Sequence, residues 1–381
     1  MQNIFKQLQE FFSHIHLVKS VGKGAEEIEL FEKNFAGAVD QELRTALVAQ
    51  IGAFSMTVLN NAIGGLIILY GGYLVLKGSM TLGTLIAISL YLMQAVNLLK
   101  SFGLWYQDFS VNAVARHRVA EMLAVKPVAF NCKDSVKLSI AHGIIEFRDV
   151  WFGYRKGQPV LQGINFAMSA GKRIVLSGPS GVGKTTIFSL ILRTSEPDSG
   201  AILIDGLDVR LIQPDSFYAQ FGAALQESFL WNDTVAYNIL YGNQTASEKE
   251  MVAAARIAEA DGFIKNLPHG YDTMIGEMAN TLSEGQKQRL ALARALVKKP
   301  KILLLDEALS SLDSGAENKI MENISEALPH STILTISHRA SIASKADRVY
   351  FLESGVSVQE GSYEELIAKN HRFRELFNNQ I

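Results

Sequence analysis

The sequence predicts an α-helical membrane segment followed by an α/β domain with a largely parallel core sheet. Three observations carry this. Residues 45–76 hold no charged side chain and 78–99 hold none either. At about 1.5 Å rise per residue, each run is long enough to cross a hydrocarbon layer about 30 Å thick. From Ile144 onward, short apolar runs alternate with helical periodicity. Between one such run, Ile174–Leu176, and the helical stretch Thr186–Leu192 lies Gly178-Pro179-Ser180-Gly181-Val182-Gly183-Lys184-Thr185, which fits the phosphate-loop pattern G-x-x-x-x-G-K-[ST] in full.

Along the chain, residues 1–44 mix charges with apolar residues such as Ile4, Phe5, Leu8, Phe11, Phe12 and Ile15 at helical spacing. Gly22 and Gly24 interrupt this pattern, and a second helical stretch follows from Glu26 to Arg44. Taken alone, this part also fits a soluble helical hairpin. Two antiparallel membrane helices are expected at about 46–76 and 80–102, joined by the short turn Lys77–Thr81. Lys6, Lys19, Lys23, Lys33 and Arg44 flank one side, with Lys100, Arg116 and Arg118 at the far end. Lys77 stands alone opposite them, so both termini are expected in the cytoplasm. Gly64, Gly65, Gly71 and Gly72 suit close helix packing. Asn60 and Asn61 suit either a bond to a neighbouring helix or the lining of a path.

Ser101–Leu123 reads as the same helix leaving the membrane, and 124–140, with Pro127 and scattered lysines and serines, as a linker. The strands expected beyond it are Ile144–Phe147, Ile174–Leu176, Ala201–Ile204, Lys301–Leu305, Thr332–Ile336 and Val349–Leu352. The division is therefore 1–123, 124–140 and 141–381.

The composition excludes some functions. Lys and Arg total 36 against 38 Asp and Glu, a net charge of −2, which gives no support to a nucleic-acid partner. Cys132 is the one cysteine, so no internal disulfide is possible. The first residues lack the short apolar core and small residues of a signal peptide.

Phosphate chemistry explains the loop residues. Glycines let backbone N–H groups turn onto phosphate oxygens, and the following helix aims its positive end at the same anion. Lys184 would reach the terminal phosphates and Thr185 would ligate Mg²⁺. Lys301–Leu305 is an apolar run ending in Asp306 and Glu307. Ligands sit at the carboxyl end of such strands. Asp306 there suits Mg²⁺, and Glu307 suits the polarising of a water. Leu282-Ser283-Glu284-Gly285-Gln286 precedes a helix from Lys287 to Val297. Ser283 with Gln286 is also a capping-box pair.

Together these motifs resemble an ATP-binding cassette (ABC) transporter of the exporter type, with membrane and nucleotide-binding domains in one polypeptide. The resemblance covers essentially the whole chain and is most specific from Tyr154 to His338. It implies an ABC-type P-loop NTPase fold that binds ATP and Mg²⁺. Gly178, Pro179, Ser180, Gly181, Val182, Gly183, Lys184, Thr185 and Thr186 match the Walker A motif and helix start that hold the phosphates. Asp306 matches the Walker B aspartate and Glu307 the catalytic glutamate. Ser283, Gly285 and Gln286 match the signature that clamps ATP bound to the partner. Tyr154 matches the aromatic that stacks on adenine. Gln226 matches the glutamine that senses Mg²⁺, so Thr185, Gln226 and Asp306 are the expected metal residues. Ser310–Asp313 looks like the D-loop, and His338 like the switch histidine that joins Glu307 and Lys184 in catalysis. Glu277 resembles the acid that meets the coupling helices.

The resemblance further implies a second ABC subunit, paired head to tail, in the plasma membrane with multiple spans and a cytoplasmic ATPase domain. It also implies an exported substrate of unidentified kind. The sequence departs from the family at Glu284, where a glycine is usual, and at Ala279. It departs more in the number of membrane helices, two against six. His16–Ser20 resembles the end of the fourth helix, so Met1 is expected to begin in mid-domain. That reads the chain as a fragment, a split-gene product with a separate chain supplying the other helices, or a degenerate transporter. A soluble ABC ATPase and a regulatory membrane subunit that does not transport are the rival readings.

Overall fold

The computed structural model describes residues 2–124, 136–138, 142–155, 157–226, 228–275 and 282–378. The chain divides into two compact units, Met1–Val125 and Lys126–Ile381.

The first unit is helical. Helices α1 (Gln2–Ser13) and α2 (Ile15–Val21) precede the 53-residue α3 (Gly24–Leu76), about 80 Å long at 1.5 Å per residue. His14 separates α1 from α2, and Gly22, at φ 72°, interrupts the helical path before α3. Gly24, expected to break it as well, opens α3 instead. No proline lies in this stretch, so Glu26–Arg44 and the apolar run join as one helix. After the turn at Lys77–Thr81 come α4 (Leu82–Val111) and α5 (Ala113–Ala124). Two helices, Gly24–Leu76 and Leu82–Gly103 within α4, are long and apolar enough to cross a membrane.

Helix α3 packs tightly on α4 at Gly71. A Cβ there would lie 2.1 Å from Leu85 Cδ1. Gly64, Gly65 and Gly72 would meet nothing within 4 Å, so the close packing expected of four glycines falls on one. Asn60, Asn61, Gly64, Gly65 and Ser89 instead border a cavity of about 330 Å³.

The second unit holds two sheets. Strands β1 (Ile145–Phe152) and β2 (Leu161–Met168) are followed by β3 (Arg173–Ser177), α6 (Lys184–Ile191), β4 (Ser199–Ile204) and β5 (Leu207–Asp208). Next come α7 (Pro214–Tyr218), β6 (Phe221–Ala224) and the helices α8 (Val235–Leu240), α9 (Glu248–Ile257), α10 (Asp261–Ile264) and α11 (Glu284–Leu296). The chain ends with β7 (Ile302–Asp306), α12 (Ser314–Ala327), β8 (Thr332–Ile336), α13 (Ala340–Ala343), β9 (Arg348–Glu353), β10 (Ser357–Gly361), α14 (Tyr363–Lys369) and α15 (His371–Asn378).

The larger sheet has the order β10-β9-β3-β8-β7-β6 and is parallel except for β10. Strands β1 and β4, expected from the runs at 144–147 and 201–204, belong instead to a separate antiparallel sheet, β2-β1-β4-β5. Their side chains show the reason. Burial along β1 is partial and irregular, whereas every residue of β7 is buried. A strand covered on both faces belongs in a parallel core and a half-covered one in an antiparallel sheet. One apolar core lies among both sheets and α6, a second joins α8, α9, α11 and α12 to β7, and a third packs α14 and α15 on β9. Of the linker expected at 124–140, only Ala124 and 136–138 are described. Val136 already runs beside Ile212 of the second unit.

Candidate nucleotide site

Register brings the site together. Leu176 on β3 pairs with Ile336 on β8, and Ile336 pairs with Asp306 on β7. Three adjacent strands therefore end at one level. The phosphate loop, Glu307 and His338 leave from their carboxyl ends, where an open parallel sheet leaves a crevice.

The loop is shaped for close approach to a ligand. Gly178 has φ 151°, and a Cβ there would stand 2.4 Å from the Leu352 carbonyl oxygen. Gly183 has φ 107° and caps α6. Pro179, Ser180 and Gly181 are exposed, while Lys184 and Thr186 are buried. The Lys184 Nζ donates to the carbonyls of Gly178 at 2.8 Å and Pro179 at 2.9 Å. Burial pulls its ammonium below the usual lysine range, against the pull of Glu307 and Asp306.

Asp306 is 2% exposed. Burial pushes its carboxyl upward, aided by the charge of Glu307 and opposed by a hydrogen bond from Thr185 and by Lys184. Glu307 takes the left-handed conformation, φ 47°, and its N–H donates to the Ile336 carbonyl at 3.2 Å. A non-glycine residue held there is strained, and such strain gathers at functional sites. One Glu307 oxygen faces His338 Nε2 at 3.5 Å and the other faces Gln226 Nε2 at 3.5 Å. His338 sits below its ordinary pKa, chiefly through burial and then through Lys184, with Glu307 opposing. Burial therefore favours the neutral imidazole. Tyr154 is 63% exposed, stands edge-on to Phe152, and lies 3.2 Å from the Thr186 hydroxyl.

The structure thus gathers Tyr154, the loop 178–186, Gln226, Asp306, Glu307 and His338. It does not gather the signature. Among the described residues, no hydrogen bond or ion pair joins 283–286 to the loop. Ser283 caps α11 and forms the expected box with Gln286: its hydroxyl accepts from the Gln286 N–H at 3.3 Å, and the Gln286 Oε1 accepts from the Ser283 N–H at 2.9 Å. Glu284 pairs with Lys287 at 3.5 Å. Gly285 makes room for Leu312, whose Cδ2 would lie 2.8 Å from an added Cβ. Glu277 and Ala279 lie outside the described residues.

Sequence reasoning missed Gln288, Glu317 and Arg339, which are buried or half-buried polar residues beside these motifs. Arg339 follows His338 directly, and that adjacency was the available signal. Glu317 had only a charge at an inward-facing position of α12.

An anion cradle fits these residues. A buried ammonium, a glycine loop with positive φ and a helix N-terminus converge on one crevice. Mg²⁺ fits too: Thr185 and Asp306 present adjacent hard oxygens, and such a cation completes its shell with phosphate and water. Among the described residues no group of three or more His, Cys, Asp or Glu could hold a metal, so phosphate oxygens are needed.

The fold and site define a P-loop nucleotide-binding domain that follows helices long and apolar enough to cross a membrane. Residues 161–310 match the family described as ABC transporter, and residues 1–99 the ABC transporter transmembrane region. The chain is 37% identical over 381 residues to an ATP-dependent lipid A-core flippase of Syntrophus aciditrophicus, covering all of this chain and 63% of that protein. It is 36% identical over 304 residues to an ATM1-type heavy metal exporter of Novosphingobium aromaticivorans, covering 80% and 50%. A solved bacterial Atm1-family ABC exporter with ATP bound superposes with a TM-score of 0.90 at 30% identity, covering 99% of this chain and 66% of that one. The chain belongs to the ABC transporter family, as an exporter-type polypeptide with fused membrane and ATP-binding regions. It spans between half and two thirds of the length of these relatives.

Proposed function

We propose that this chain binds and hydrolyses ATP as one half of a paired ABC exporter in the plasma membrane, with the ATPase domain in the cytoplasm. The observation that carries this is the convergence of Lys184, Asp306, Glu307 and His338 at the aligned ends of β3, β7 and β8. Lys184 exchanges its two carbonyl partners for phosphate oxygens, and the loop N–H groups cradle the remainder. Tyr154 offers an exposed ring to the adenine. Thr185, Asp306 and Gln226 would hold Mg²⁺, which supplies positive charge at the phosphates. Glu307 orients and polarises the attacking water, with Gln226 and His338 fixing its carboxylate from either side. Neutral His338 has a single N–H, which would leave Glu307 for the transferred phosphate when nucleotide is bound.

Ser283, Gly285 and Gln286, held apart from the loop, serve the nucleotide of a second ABC subunit. Closure of the pair is then coupled through the membrane helices to export of a substrate. The relatives' names point to lipid A-core and heavy-metal cargo for those proteins, and that difference leaves the cargo here open.

Purified full-length chain in micelles should hydrolyse ATP with Mg²⁺, at a rate per molecule that rises with protein concentration. Glu307→Gln should keep ATP binding and lower turnover by about 10²-fold or more, the usual effect of losing a positioned base. A wild-type rate in Glu307→Gln sinks the assignment.

A further inference from the structure

Arg339 is bound more tightly into the fold than its neighbour His338. Its Nη1 donates to the Glu317 carboxylate at 2.7 Å and to the Leu312 carbonyl at 2.9 Å, and its Nη2 donates to the Ser310 carbonyl at 2.7 Å. The same turn is gripped from α11. The Gln288 Nε2 donates to the Ser310 hydroxyl at 3.2 Å, and its Oε1 accepts from the Ser311 N–H at 3.1 Å. Gln288 is 3% exposed and Glu317 4%. Hydrogen bonds between such buried polar groups are strong and directional.

Apolar packing seats the base of this turn, with Ala308, Leu309 and Leu312 in the second core. A cavity of about 310 Å³ lies among Glu307, Ser310, Glu317, His338 and Arg339. On the side facing this void the walls forgo dispersion contacts, and there the guanidinium fork bridges the two loops. Burial pushes the Glu317 carboxyl upward, and the hydrogen bond and charge of Arg339 oppose that. Guanidinium chemistry is needed: a lysine can neutralise Glu317, but its point charge cannot also span two carbonyls in fixed directions.

We propose that Arg339 is a positioning residue for ATP turnover. With Gln288 it locks the Ser310–Asp313 turn to the His338 loop, so that α11, which carries Ser283–Gln286, and the loop bearing the histidine move as one body. A displacement at the signature end is then delivered to His338 beside Glu307. This rests on the proposed ATPase reading. It adds a defined route between the segment that serves the partner's nucleotide and the one that serves this chain's own.

The test uses the full chain in micelles. Arg339→Lys keeps the charge pair and removes the fork. The double variant Arg339→Met with Glu317→Met removes both charges and leaves neither buried alone. Both should bind a fluorescent ATP analogue as the wild type does, with KM within about twofold and kcat lower by about tenfold, the pattern of an interaction made only in the transition state. Amide hydrogen exchange at 309–313 should quicken in both, with α6 unchanged. A purely structural ion pair predicts wild-type kcat in Arg339→Lys, and that result would overturn the proposal. So would a loss of ATP binding that matches the loss of turnover, or unchanged exchange at 309–313. If the ATPase reading itself fails, the wild type shows no hydrolysis, and the exchange measurement alone still decides whether Arg339 holds the turn.

Discussion

Leu69 and Leu305 are both leucines in regular structure, and they are held in opposite ways. Leu69 lies in α3 with 73% of its surface exposed, and Leu305 lies in β7 with none. Helix α3 satisfies its backbone within its own turns and touches α4 closely at one glycine. Strand β7 depends on β6 and β8, whose sequence positions lie well to either side of it. The first unit can therefore be described helix by helix. In the second, function depends on register between distant segments. A one-residue slip of β7 against β8 would turn Asp306 away from Thr185.

That contrast predicts unequal costs for one chemical change. Leu305→Ala, directly beneath Asp306, should cost about 2–5 kcal/mol, because a close-packed site cannot fully collapse around the missing atoms. ATP binding should weaken with it. Leu69→Ala should stay within about 0.5 kcal/mol, as expected away from packed contacts. Urea unfolding of the full chain in micelles, followed separately by a probe in each unit, reads both. Equal effects would mean that α3 is packed where the structure leaves it exposed.

The smaller contrast lies inside the membrane unit. Gly71→Ala places a methyl group against Leu85 and should destabilise by about 1 kcal/mol or somewhat more, as overpacking does. Leu85→Ala should relieve it. Gly64→Ala meets nothing within 4 Å, so it should gain about 0.5–1 kcal/mol from helix propensity alone. Detergent-induced loss of helical circular dichroism would register the opposite signs. If both glycines behave alike, Gly71 is not the contact between α3 and α4.

The same distinction decides what could be read from sequence. The phosphate loop, Asp306–Glu307 and the Ser283–Gln286 box are contiguous, and each carries its geometry locally. All were legible, down to the N-cap of α11. The uncharged runs were legible because composition alone defines them. The second sheet was not: β1 and β4 look like any short apolar run, and only their long-range pairing and one-sided burial separate them from β7. Four glycines looked equivalent in α3, and the facing residue, not the glycine, picked out Gly71. Arg339 was visible as a neighbour of His338, but its bonds to Ser310, Leu312 and Glu317 reach 22 to 29 positions back, and no local pattern encodes them.

The weakest effect expected is in a local device of the second unit, the capping box of α9. Ser247 caps the helix, and its N–H and hydroxyl both donate to Glu250 at 2.9 Å. Lys299, from the segment before β7, adds a bond at 2.7 Å. The Lys299 bond first, and the Ser247 bonds next, pull the Glu250 carboxyl down to about 2 from 4.5. A depressed carboxylate binds fewer protons folded than unfolded. Its stabilising contribution is therefore complete above pH 4.5 and is lost as the pH falls toward 2. The side chain stands partly in solvent, so screening by water and salt keeps the effect small. Glu250→Gln should flatten the acid side of the stability curve of the second unit slightly, between pH 4.5 and 2, and leave the curve at pH 7 to 8 nearly parallel to the wild type. Lys299→Met should raise the Glu250 pKa, read by carbon NMR of labelled glutamate, while the Ser247 bonds keep it below 4.5. If Lys299→Met returns Glu250 fully to 4.5, the local box contributes nothing, and even this helix start depends on a distant partner.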